Sequence, residues 1–309
     1  MQTRGWRGKS SRASSAVMQW IEQETWQQLA GEETDAHRVA TGGKGWLDRY
    51  GDWLLWSGAA PPDAAFLRTE MIARYGFAAR GYLVRGLARS AKDQKPAQLA
   101  AGEPPGVIVV REAGLSYSVH PEGGYSSGLF LDQRLNRRWV GSVRPSRMLN
   151  LFAYTCSFTV CAAAAGGVTC SVDASKHALA AGRANLVLNG IDPSEGHRFL
   201  ADDVTKVVPR LARRGEKFDL IILDPPTFGR AGGRVFRIEK DLPLLVRECF
   251  GLLDAGGWLL VSSNFSQWSP ADLRDLCGSS LAGTRFTITP GETPREIPCG
   301  AISWRLQRA

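Results

Sequence analysis

Residues 148–158 read Met148-Leu149-Asn150-Leu151-Phe152-Ala153-Tyr154-Thr155-Cys156-Ser157-Phe158, an apolar run that breaks into a turn of small and hydroxyl side chains before a helical pattern begins. Four more short apolar runs follow at 168–172, 198–201, 218–223 and 257–262, separated by helical stretches near 158–165, 175–188, 204–213 and 238–253. Strands that alternate with helices need crossover connections. The pattern therefore predicts a parallel sheet covered on both faces, the doubly wound, Rossmann-like α/β class. Residues 286–289 and 301–306 are expected to add a last antiparallel hairpin.

In such a sheet the ligand lies beyond the carboxyl ends of the strands, where strand order reverses, so the residues after each strand are the informative ones. The turn 150–158 lets a ligand approach the backbone. Asp173 follows the second strand, placed to accept hydrogen bonds from a ribose diol as the acid about 20 residues past the turn does in dinucleotide folds. Asp202-Asp203-Val204 follow the third and suit an adenine amino group. Asp224-Pro225-Pro226-Thr227-Phe228 follow the fourth. Two prolines donate no backbone hydrogen bond and cannot continue a strand, which fixes an extended turn beside a carboxylate and a ring. A flipped or unpaired base would stack on Phe228 with a polar group of its edge at Asp224 or a neighbouring carbonyl. An isolated Asp-Pro-Pro only closes a strand; the ordered set of four sites carries the functional reading. The first turn lacks GxGxxG, which sets the chain apart from nicotinamide and flavin oxidoreductases.

At 309 residues the chain exceeds the roughly 250–300 at which one hydrophobic core stops growing, so more than one domain is expected. Residues 1–30 read as a basic arm and a helix over 16–31. Arg4, Arg7, Lys9 and Arg12 without an acid suit either a disordered arm or a transit peptide. Residues 31–122 read as a small α+β domain. It has short strands over 39–58 around Tyr50-Gly51-Asp52, a helix over 64–75, a polar connection over 92–105, and a hairpin of 106–110 and 115–119 turning at Gly114. Residues 123–309 form the catalytic domain.

The net charge of +8, from 38 Lys+Arg against 30 Asp+Glu, favours a polyanionic partner, and the small domain is a candidate to hold it. Residues 133–147 hold five arginines and no acid, and 225–240 add Arg230, Arg234, Arg237 and Lys240 against Glu239 alone. Both stretches border the expected site, so Arg137, Arg138, Arg230 and Arg234 are expected to contact nucleic acid. The six cysteines form no CxxC pair and have no histidine at zinc-ligand spacing, so neither a metal site nor a disulfide framework is expected. Free thiols suit a reducing cytoplasm. Residues 148–171 carry no charge over a length that invites a membrane reading, but Asn150, Thr155, Ser157, Thr159 and Gly166-Gly167 break it into strand, turn, helix and strand.

Three segments carry a resemblance: Gly128-Leu129-Phe130-Leu131-Asp132-Gln133-Arg134, residues 150–158 with Val172-Asp173-Ala174-Ser175, and residues 221–228. Together with the hairpin around 109–115 they resemble the bacterial family of 23S rRNA methyltransferases that modify cytosine C5 or guanine N7. The resemblance implies S-adenosylmethionine as donor and RNA, in particular rRNA, as partner. It implies that Phe130, Gln133 and Arg134 close over the methionine end, that Asn150, Phe152, Tyr154, Thr155 and Ser157 form the floor, that Asp173 and Ser175 hold the ribose, and that Asp203 with Val204 meets the adenine. Asp224, Pro225 and Phe228 would hold the acceptor base. Two departures stand out. Cys156 replaces a glycine of the family pattern, which puts the turn geometry in question. No cysteine stands where a C5 methyltransferase needs one: Thr227 occupies one such place, and 262–266 read Ser-Ser-Asn-Phe-Ser. A ring nitrogen needs no such activation, so guanine N7 is the expected acceptor. A small-molecule or protein acceptor, or a non-catalytic protein that binds donor and RNA, are the alternatives.

Overall fold

The computed structural model describes residues 18–88, 95–121, 126–231, 234–298 and 300–309. The first sheet runs in the order β1-β2-β3-β4-β5-β6, made of β1 (Gln19–Trp20), β2 (Ala36–Gly42), β3 (Lys44–Tyr50), β4 (Trp53–Ala59), β5 (Gly81–Arg85) and β6 (Gln98–Gly102). Neighbours are antiparallel except β4 and β5. That parallel pair needs a crossover, supplied by helix α2 (Ala64–Tyr75), whose Asp63 cap accepts from Ala65 and Phe66 N–H and which ends at Gly76 in the left-handed region. Helix α1 (Gln23–Gly31) and α2 bury Trp26, Leu67 and Met71 against Leu47, Leu54 and Trp56. Residues 98–102, expected as part of a polar connection, are an edge strand. Four of the five side chains are exposed, so backbone pairing to β5 alone makes the strand and leaves no hydrophobic alternation to read.

Strands β7 (Ile108–Glu112) and β8 (Leu115–Val119) form a separate hairpin that turns at Ala113 and Gly114, both with positive φ. Ile108, Val110, Tyr117 and Val119 are buried in one cluster with Tyr50, Leu55 and Leu83 of the first sheet and with Val160 and Leu186. The hairpin thus wedges the two sheets together.

After a 3₁₀ turn at Leu131–Gln133 comes helix α3 (Arg134–Val143), and then the alternation begins. Its elements are β9 (Arg147–Leu151), α4 (Ser157–Ala164), β10 (Val168–Asp173), α5 (Lys176–Leu188), β11 (His197–Ala201), α6 (Val204–Arg213) and β12 (Phe218–Leu223). There follow a hairpin of β13 (Phe228–Ala231) and β14 (Arg234–Arg237), α7 (Ile238–Gly251), β15 (Leu253–Ser263), α8 (Pro270–Ser280), β16 (Phe286–Pro290) and β17 (Ile302–Arg308). The sheet order is β11-β10-β9-β12-β15-β17-β16, parallel through β15 and antiparallel at β17 and β16. Ile221, Leu223, Leu149, Leu151, Leu259 and Val261 face α6, α7 and α8. Met148, Leu220, Ile222 and Leu260 face α3 and α4 on the other side. Such two-sided burial is what a continuous apolar run encodes. The chain leaves β9 for β10 and β11, then returns across it to β12, so strand order reverses at β9 and the crevice opens there.

Candidate active site

Three backbone N–H groups help tie down the loop after β9: Ala153 N–H to Val172 O at 3.0 Å, Tyr154 N–H to Asp173 Oδ2 at 2.8 Å, and Cys156 N–H to Ala153 O at 2.8 Å. Phe152, Tyr154 and Cys156 all take left-handed backbone, at φ 56°, 47° and 60°. Each such non-glycine residue costs about 1–2 kcal/mol, strain of the kind that gathers at ligand sites. Cys156 adopts the conformation a glycine would have supplied. Its thiol occupies the space over Gly182 of α5, where a Cβ would collide with Cys156 Sγ.

A cavity of about 300 Å³ lies over this loop. Phe130, Gln133, Asn150, Phe152, Tyr154 and Ser157 line it, and so do Asp173, Asp203, Val204, Asp224 and Pro225. Asp173 accepts from the N–H groups of Tyr154 and Ser175 at 2.8 Å each. Asp203 caps α6 by accepting from Thr205 N–H and Oγ1. Asn150, buried, donates to Thr159 Oγ1 beneath the floor. Phe130 packs on Tyr154 and Phe152 on Phe236, with ring centroids 5.4 and 5.3 Å apart. Sequence reasoning missed Phe236, Asp132, Asn264 and Ala301, which also line the cavity. Of these, Asn264 sits where post-strand logic points, one residue past β15.

Three expected residues do not line it. Arg134 donates to Glu296 at 2.6 Å and is nearly buried, Thr155 donates to Gly128 O at 2.6 Å, and Ser175 caps α5 by accepting from Ala178 N–H. Arg137 is corrected from an RNA contact to a buried charge: it is 1% exposed and holds Glu112 of β7 through Nε and Nη2 at 2.6 Å each. Among the described residues its Nη1 has no hydrogen-bond partner, and it is the cation lining the cavity. The charge that marked a solvated face belongs instead to an interior pair with a residue 25 positions earlier. Arg138 is exposed and donates to Glu32 at 3.0 Å, away from the cavity. The side chains of Phe228, Arg230 and Arg234 lie outside those described.

Asp224 accepts from Gln133 Nε2 at 3.1 Å, and Gln133 is itself oriented by Asn136 Nδ2, which donates to its Oε1 at 2.8 Å. Burial pushes the Asp224 carboxyl up to about 7; Asp132 adds to the rise, while Arg137 and the Gln133 amide oppose it. Thr227 donates to Asn264 Oδ1 at 3.0 Å, so the two stretches where the resemblance would put a thiol hold a hydroxyl and an amide bonded to each other. Cys156, Cys161, Cys170, Cys249 and Cys277 are buried, and burial raises every one of these thiols, Cys156 to about 12. Cys299 lies outside the described residues. No helix among the described residues is long and apolar enough to cross a membrane.

A family model described as S-adenosylmethionine-dependent methyltransferase matches residues 73–299. Ribosomal RNA large subunit methyltransferase I of Klebsiella pneumoniae (strain 342) is 39% identical over 169 residues, which are 52% of this chain and 40% of that one. The protein of the same name from Enterobacter sp. (strain 638) is 37% identical over 165 residues, 52% and 41% of the two chains. The chain thus spans well under two thirds of the curated relatives it matches. Among solved structures, SMU.776 complexed with SAH superposes with a TM-score of 0.77 at 24% identity, covering 92% of this chain and 78% of that one. The SAM-dependent methyltransferase of Agrobacterium tumefaciens gives 0.72 at 22% identity, covering 90% and 91%. At these identities the structures establish the fold.

Proposed function

The chain belongs to the S-adenosylmethionine-dependent methyltransferase family, and from that premise we propose that it methylates a base of RNA, large-subunit rRNA in particular, at guanine N7. The ribosomal RNA methyltransferases among its relatives support the RNA acceptor. The Thr227–Asn264 pair supports the atom: a hydroxyl and an amide stand in the two stretches where the resemblance would put an attacking thiol, and every described thiol is buried.

The residues present fit the donor. Five aspartates line the cavity, Asp132, Asp173, Asp202, Asp203 and Asp224, suited to a ligand with two cationic groups, a diol and an amine, while the unpartnered Nη1 of Arg137 suits its carboxylate. When bound, that donor supplies an electrophilic methyl group. Asp173 would accept from the ribose and Asp203 with Val204 would face the adenine. Phe130, Gln133, Asn150, Phe152, Tyr154 and Ser157 would shape the remainder, with Arg134, Thr155 and Ser175 acting from outside the cavity wall. Pro225 and Pro226 hold the acceptor slot rigid, and Asp224 with Phe228 would clamp the base so that its nitrogen faces the methyl. The contribution is orientation, which alone supplies about 7–11 kcal/mol at its upper limit. In this reading residues 31–122 and the arginines Arg138, Arg230 and Arg234 hold the RNA, and the enzyme works in the cytoplasm.

The deciding experiment is nucleoside mass spectrometry of rRNA from a strain lacking the chain, before and after incubation with the purified protein and donor. The expected product is 7-methylguanosine. A covalent adduct on 5-fluorocytidine RNA that vanishes when one cysteine is changed would overturn the assignment in favour of cytosine C5.

A further inference from the structure

Asn264, past the end of β15, lines the cavity, and Thr227, past the end of β12, donates a hydrogen bond to it. A primary amide offers one acceptor oxygen and two N–H donors. Because Asn264 Oδ1 is turned aside to accept the Thr227 hydroxyl, Asn264 is left with its two N–H groups, which no group among the described residues engages. Thr227 is itself held by the turn that the two prolines stiffen, so the amide plane has a fixed orientation.

Base edges differ in what stands beside the reacting position. Guanine N7 is flanked by the O6 acceptor, whereas adenine N7 and cytosine C5 are flanked by amino donors. Donor facing donor leaves both unpaired, and a site built to hydrogen-bond one group rejects its absence strongly.

We propose that Asn264, oriented by Thr227, is the specificity-determining residue of the acceptor site: its amide N–H groups read the carbonyl oxygen beside the reacting ring nitrogen, admitting guanine and rejecting adenine and cytosine. This rests on the proposed methylation of an RNA base.

The test uses the full chain with rRNA from a strain lacking it, product nucleosides identified by mass spectrometry, and donor affinity measured by calorimetry. Asn264→Asp keeps the shape and removes both donors; kcat/KM should fall about 10- to 100-fold, as for a lost and repelled hydrogen bond, with donor Kd unchanged. Thr227→Val should cost about 3- to 10-fold by freeing the amide, and Thr227→Ser should restore the rate. An Asn264→Asp variant with wild-type kcat/KM, or one whose donor affinity falls in parallel, overturns the inference, as does Thr227→Ser falling as far as Thr227→Val. If 7-methylguanosine forms while the variants behave as wild type, only this inference falls. If 5-methylcytidine or no methylated base forms, the proposed function falls and takes the inference with it.

Discussion

Cys156 stands in left-handed backbone with its thiol against Gly182, so two residues 26 positions apart share one space. Replacing Cys156 by Gly relieves about 1–2 kcal/mol of backbone strain but empties that space, so the single change should be nearly neutral. Gly182→Ala alone should destabilise by collision, and should be tolerated once Cys156 is Gly. Urea denaturation of the four proteins should give a coupling of about 1–3 kcal/mol; additive effects would mean that the two residues do not compete. Asp224 makes a second prediction at this scale. Its folded carboxyl sits near 7 against an ordinary 3.8, so its contribution to stability is complete below the unfolded value and is lost as pH rises through about 7. Asp224→Asn should therefore flatten the decline in Tm between acid and mildly alkaline pH. The same substitution should remove the rise of kcat/KM through neutrality expected if the ionised form clamps the acceptor, and should leave donor binding largely intact. A wild-type pH profile in Asp224→Asn would show that this carboxyl plays no part.

Among the elements, the β7–β8 hairpin does more than pack on the first sheet. Glu112 at its end reaches into the second unit and takes two N–H groups of Arg137 on α3, both side chains being almost fully buried. Breaking a buried pair from one side strands the other charge and costs about 3–5 kcal/mol, whereas replacing both by apolar residues is near neutral. Glu112→Ala should thus lower the urea midpoint sharply, and Glu112→Leu with Arg137→Met should recover most of the loss. Equal midpoints for the single and double variants would show that the pair holds nothing. Helix α8, absent from the expected elements, was legible in principle: Ser269, Pro270 and Asp272 spell a capping box, and the structure forms both of its hydrogen bonds. Helix α3 was not, because its arginines hide an interior face that only Glu112 and Glu296 explain.

For the molecule as a whole, the excess of basic residues predicts that the proposed RNA binding weakens steeply with salt. In filter binding across a salt series, Arg138→Ala, Arg230→Ala and Arg234→Ala should each reduce the slope of log K against log salt by about 0.7–0.9 per lost phosphate contact. Arg137→Ala should lower stability and leave the slope alone. A flat salt response in the wild type would point to a small-molecule or protein acceptor. The sequence by itself determined the parallel sheet, because strand and helix periods are local properties of a chain. It likewise placed Asn150, Asp173, Asp203 and Asp224 at one crevice, because a parallel sheet carries every post-strand loop to the same end. What only the tertiary structure decided is who meets whom across the chain: Cys156 over Gly182, Glu112 under Arg137, Thr227 beside Asn264. Each of those pairs joins residues from different elements, and local periodicity records the face a residue occupies but not the partner that the packing of other elements brings to it.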